Sequence, residues 1–84
     1  LIRLIRLLNF PYMSKLKIKK KNKILDFEKN LSDIDQIYDF YITKFDKNYT
    51  YYQIIFNGAP NIFLKKMSEK NYNFNTQNKI WSLE

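Results

Sequence analysis

The sequence has no cysteine and no histidine, and only one glycine and two prolines, in 84 residues. Without cysteine there is no disulfide, no tetrathiolate zinc site and no Cys-His nucleophile. Without histidine the usual general acid–base and the commonest metal ligand are missing, and a Ser-His-Asp device cannot be built from this chain alone. The single glycine, Gly58, leaves no Gly-rich loop to cradle a phosphate. No apolar run approaches the ~18–20 residues of a membrane-crossing helix. The apolar start, residues 1–8, is interrupted by Arg3 and Arg6, which break it as a signal-peptide core.

Acid is absent from one end of the chain. Residues 1–23 carry eight basic side chains and no carboxylate, a charge of +8, whereas residues 24–84 set seven lysines against eight carboxylates, a charge of −1. The whole-chain value of +7 therefore invites a nucleic-acid reading that most of the chain does not support. Lys, Asn, Ile, Tyr and Phe supply 48 of the 84 residues, and all five use codons rich in A and T. An AT-rich genome would account for much of that excess, so placement is more informative than abundance.

Placement predicts structure. Lys15, Lys17 and Lys19 alternate with Leu16 and Ile18, the period of a strand with one buried face. A polar connection follows, with Asn22 expected to cap the next element. Ile24, Phe27, Leu31 and Ile34 then share one helical face. Residues 37–45 read as a strand, with Tyr38, Phe40 and Ile42 on one face and Asp39, Tyr41 and Thr43 on the other. Asp46, Lys47 and Asn48 form a hairpin turn into a strand over residues 49–56. Pro60 opens a second helix with Phe63, Leu64 and Met67 as its apolar stripe. A last strand is expected over residues 79–83, with residues 72–75 as a possible hairpin partner.

This order, β-α-β-β-α-β, predicts an α+β domain of the ferredoxin-like split βαβ type. Such a domain has an antiparallel sheet with two helices on one face, here with an extra C-terminal hairpin strand allowed. The domain is expected over residues 15–84, with residues 1–14 as an extension or the remnant of a preceding domain. Because the chain starts with Leu, a fragment of a longer protein is expected, with Met13 as an alternative start.

Each constellation with a functional reading also has a plainer one. The lysines at 15–23 could follow phosphates, but an outward strand face and a loop need charge for solubility alone. The hairpin aromatics could stack bases, yet the third strand, residues 49–56, lacks the glycine and basic residue of the RNA-binding pattern. Asp33 and Asp35 resemble the start of a calcium loop, but Tyr38 stands at its glycine position and Lys44 at its bidentate glutamate position. Asn30-Leu-Ser32 and Asn48-Tyr-Thr50 match the glycosylation sequon, which arises often by chance in Asn-rich chains. Residues 1–8 could lie on a membrane or a partner, but their apolar positions wrap around a helix without forming one face.

Three segments carry a resemblance: Leu31-Ser-Asp-Ile-Asp-Gln-Ile37, Tyr52-Gln-Ile-Ile-Phe-Asn-Gly58 and Lys79-Ile-Trp-Ser-Leu83. Together they resemble the C-terminal module of a family of exported bacterial proteins described as a domain of unknown function. The resemblance implies the fold and a place at the tail of a longer periplasmic or envelope-associated protein. It implies no active-site residue.

The expectation is a non-catalytic interaction module, with no cofactor and no metal site. Its partner is a protein or a neighbouring domain of the same polypeptide. The contact surface is the open sheet face: Lys15, Lys17, Lys19, Tyr41, Thr43, Tyr51, Gln53 and Ile55, with Asp39 at its margin. Tyr41, Tyr51 and Ile55 form its apolar centre within a polar rim. The alternative is a small basic RNA-binding protein using the same face. An enzyme is not expected, since no acid–base pair, activated nucleophile or metal set is visible.

Overall fold

Alternation along the chain becomes four strands and two helices in a computed structural model that describes residues 11–84. The readings of residues 1–8 lie outside the described residues. The elements are β1 (Pro11–Lys19), α1 (Ile24–Ser32), β2 (Ile37–Phe45), β3 (Tyr49–Asn57), α2 (Pro60–Glu69) and β4 (Trp81–Leu83). They form a four-stranded mixed sheet in the order β2-β3-β1-β4. The protein is thus α+β, with an element order and layering compatible with a ferredoxin-like arrangement.

The inward residues of the two central strands are Leu16 and Ile18 on β1 and Tyr52, Ile54 and Phe56 on β3. They form one core with Phe27 and Leu31 of α1 and Phe63 and Met67 of α2. Both helices therefore cover the same sheet face, as their apolar stripes predict. Aromatic contacts join the layers: Phe27 lies 5.5 Å from Tyr52 and 5.3 Å edge-on to Tyr72, and Phe56 lies 5.5 Å from Phe63.

Local chemistry sets the ends of these elements. Pro60 occupies the first turn of α2, where its missing N–H is not needed. The same helix stops because Asn71 takes a left-handed φ of 70°. The Tyr72 N–H then reaches back to the Met67 carbonyl at 2.9 Å and the Asn71 N–H to that of Ser68 at 2.9 Å, the paired bonds of a Schellman motif. Asp46 holds the β2–β3 turn by accepting the N–H groups of Asn48 and Tyr49 at 2.8 and 2.9 Å. Asn22, by contrast, does not cap α1; its amide donates to the Lys19 carbonyl at 3.0 Å and closes the turn leaving β1.

Several expectations need correction. β1 begins at Pro11, four residues before the strand start expected at Lys15, and Met13 pairs with Ile55 inside it. The sheet is not wholly antiparallel, because β4 runs parallel to β1. The cause is an extra reversal after α2. Asn75 and Ser82 exchange backbone hydrogen bonds of 2.8 and 3.0 Å in one antiparallel bridge, and the arm after that turn is the one that joins β1. The C-terminal hairpin is thus a single bridge, not a further strand, and its second arm is regular only over Trp81–Leu83.

Strict alternation also fails along β2. Its register against β3 slips between Ile37 and Asp39 and again between Ile42 and Lys44. Tyr38 and Thr43 are the extra residues of these two irregularities. Tyr38 consequently does not join Phe40 in the core and is 52% exposed. β2 is an edge strand, and bulges at an edge twist it away from pairing with another chain.

Candidate interaction face

With both helices on one side, the other face carries the odd-numbered residues of β1 and β3. The register arranges them in rows across the sheet. Asp39, Ile55 and Met13 form the first, and Tyr41, Gln53 and Lys15 the second. Lys44, Tyr51, Lys17 and Ser82 form the third, and Tyr49 and Lys19 the last. Seven of the eight expected face residues (Lys15, Lys17, Lys19, Tyr41, Tyr51, Gln53 and Ile55) stand in these rows. Thr43 does not, because it is the bulge residue and Lys44 takes the place opposite Tyr51; it still lines the same concavity as Lys44 and Tyr51.

Two of the three tyrosines of this face, Tyr49 and Tyr51, are already partnered. The Lys17 ammonium sits 4.6 Å from the centre of the Tyr49 ring, and that of Lys44 sits 4.6 Å from the Tyr51 ring. Such contacts are attractive because the ring face is the negative side of its quadrupole. The Tyr49 hydroxyl donates to both Glu84 carboxylate oxygens at 2.9 Å, and Lys19 approaches Glu84 at 3.6 Å. The Tyr51 hydroxyl donates to Asp46 at 3.2 Å.

These contacts shift the proton affinities. The bond to Glu84 raises the Tyr49 pKa above the usual phenol value, with desolvation adding to it. Desolvation and then the bond to Asp46 raise that of Tyr51. The Asn48 and Tyr49 backbone N–H groups hold the Asp46 carboxyl below its usual value, and the Tyr49 hydroxyl does the same for Glu84.

Two adjoining concavities cross the face. The larger, about 630 Å³, lies beside the start of β1 and is lined by Met13, Lys15, Gln53, Lys79, Ile80 and Trp81, with Ser14 at its base. The smaller, about 250 Å³, runs towards β2 past Thr43, Lys44 and Tyr51. Lys15, Gln53 and Ile80 line both, so they form one groove. Trp81, expected as a capping core residue, stacks on Phe63 at 6.3 Å and presents its remaining surface to this groove.

Met13, Lys44, Lys79 and Ile80 are face or groove residues that the sequence reading missed. Met13 continues the 15-17-19 alternation upstream, a signal that was present. The bulge that places Lys44 and the turn that brings Lys79 and Ile80 over the sheet leave no comparable mark in the sequence.

Other motifs resolve simply. Asp33 and Asp35 line a surface concavity with Glu69 and the lysines Lys66 and Lys70. No group of three or more acidic residues that could hold a metal ion occurs among the described residues. In the first sequon, the Asn30 amide is engaged with the Asp26 carbonyl and the Tyr72 hydroxyl; in the second, Thr50 is buried. No described helix is long and apolar enough to cross a membrane. Comparison with known proteins finds no matching family model, no matching curated protein and no matching solved structure.

Proposed function

We propose that the protein is a non-catalytic, ferredoxin-like interaction module and the C-terminal part of a longer envelope-associated bacterial protein. Its open sheet face packs against another protein or a neighbouring domain. The observation that carries the proposal is the anatomy of that face. Met13 and Tyr41, 60% and 47% exposed, flank the half-buried Ile55, and lysines and Asp39 surround them. An apolar centre within a charged rim is the usual make-up of a modest protein interface. The ferredoxin-like assignment is supported by the element order and by both helices sharing one face. The envelope placement is supported by the sequence resemblance alone.

The alternative is RNA binding through the same face. It needs paired tyrosine rings free to stack on bases, whereas two of the three on this face, Tyr49 and Tyr51, each carry a lysine ammonium on the ring and have their hydroxyls tied to carboxylates, which leaves Tyr41 alone. These contacts favour the protein-partner reading.

A photo-crosslinking residue placed at Ile55, and separately at the solvent-exposed Lys65 of α2, tests the proposal in the source cells. A discrete, nuclease-resistant protein adduct from position 55 and none from position 65 is expected. A nuclease-sensitive adduct, or equal labelling from both positions, would overturn it.

A further inference from the structure

Resting on that reading, we infer that the groove beside the start of β1 is the docking site for an extended, acidic segment of a partner protein, which adds to the sheet next to β4. The backbone supplies the first reason. β1 is nine residues long, but β4 pairs only with Leu16, Lys17 and Ile18. Among the described residues, the rest of that edge towards Pro11 has no strand beside it. An unpaired strand edge is a template for an incoming extended chain, whose main chain supplies hydrogen bonds and whose alternate side chains supply specificity.

The groove lies against this edge and supplies the second reason. Met13, Ser14 and Lys15 of the edge line it, and Ile80 and Trp81 supply an apolar wall. One set of alternating side chains on an added strand would meet that wall.

Charge identifies the occupant. The two concavities are lined by three lysines, Lys15, Lys44 and Lys79, and by no carboxylate. Among the described residues, which include all eight carboxylates of the chain, none of the three forms an ion pair; the one such pair is Lys19 with Glu84. The concavity around Asp33, in contrast, mixes both signs. Ammonium groups with no ion-pair partner around an apolar wall complement a strand that alternates acidic and apolar residues, and they disfavour a basic one.

Trp81 is the only tryptophan and lines the groove, so its fluorescence reports occupancy directly. The full chain is titrated with a short alternating Glu/Val peptide, a Lys/Val peptide of the same length, and oligouridylate. The expected result is a saturable change in Trp81 emission with the Glu/Val peptide alone, weakening as salt is added. Lys15→Glu with Lys79→Glu should reduce that affinity by about tenfold or more, whereas Lys65→Glu on the helix side should leave it unchanged. These lysines are at the surface, and circular dichroism confirms that the variants fold.

No saturable response to the Glu/Val peptide, or an equal response to the Lys/Val peptide, overturns the inference. If position 55 still yields its protein adduct, the interaction reading survives that failure. If oligouridylate alone responds and the adduct is nuclease-sensitive, both fall together.

Discussion

Replacing Tyr52 by Phe removes one hydroxyl and leaves the core ring in place. That ring is 1% exposed and packs 5.5 Å from Phe27 and 6.4 Å from Phe40. The hydroxyl reaches the edge of the core and donates to Glu28 on α1 at 2.6 Å, tying the first helix to the central strand. A hydrogen bond to a charged acceptor contributes about 1.5–3 kcal/mol. Glu28 is half-exposed and can turn to water once the hydroxyl is gone, which places the loss near the lower end, at about 1.5 kcal/mol. For a domain of this size that corresponds to a fall in Tm of about 6–12 °C.

The pH dependence makes the test specific. Burial, followed by the bond to Glu28, pushes the Tyr52 pKa far above its usual value. In the unfolded chain the phenol ionises near pH 10, so above that pH the unfolded state binds fewer protons than the native state. The contribution of Tyr52 is therefore complete below about pH 10 and is lost as pH rises towards the folded pKa, at up to about 1.4 kcal/mol per pH unit. Phe has no proton to lose. Urea unfolding followed by Trp81 fluorescence should show a gap of about 1.5 kcal/mol between parent and Tyr52→Phe at neutral pH, nearly closed by about pH 11. Tyr49 and Tyr51 steepen the alkaline loss in both proteins and cancel in the difference. A gap that is absent at neutral pH, or constant across the range, would rule out a stabilising Tyr52–Glu28 bond lost with the phenolic proton.

Other perturbations have equally definite outcomes. Phe27→Ala removes the ring that touches Tyr52, Tyr72 and Phe74, and urea unfolding should show a loss of about 3–5 kcal/mol, a large part of the ~4–12 kcal/mol expected of such a domain. Gly58→Ala should cost about 1–3 kcal/mol in the same assay, because φ is +153° there and a Cβ would stand 2.9 Å from the Phe56 ring. Asp46 is held below its usual pKa by two backbone N–H groups, so its contribution is complete above about pH 4 and lost as pH falls through the lowered value. The stability difference between parent and Asp46→Asn, read by urea unfolding, should accordingly shrink on acidification.

The order of elements was legible because it rests on local patterns. Alternation marked Leu16 and Ile18, helical spacing marked Phe27 and Leu31, and Pro60 marked the start of α2; all appear in the structure as expected. The direction of β4 was not legible. It depends on where the turn after Asn75 brings the chain back, and a three-residue strand is too short to carry a directional signal. The bulges at Tyr38 and Thr43 were hidden for a related reason. An edge strand exposed on most of its length tolerates a slipped residue, so its sequence need not keep period two. Which residues share the open face was legible wherever β1 and β3 kept their alternation, and it failed where Lys44 displaced Thr43.

Hydroxyl-radical footprinting, compared between the purified protein and the protein in its own cells, tests most directly whether the open face is a covered interface. Met13 and Tyr41 lie on that face and are exposed, the exposed Leu25 lies on α1, and the fully buried Met67 serves as an internal reference. Met13 and Tyr41 should react readily in the purified protein and be protected in the cell, with Leu25 equally reactive in both. Equal reactivity of Met13 and Tyr41 in the two settings would contradict a covered interface.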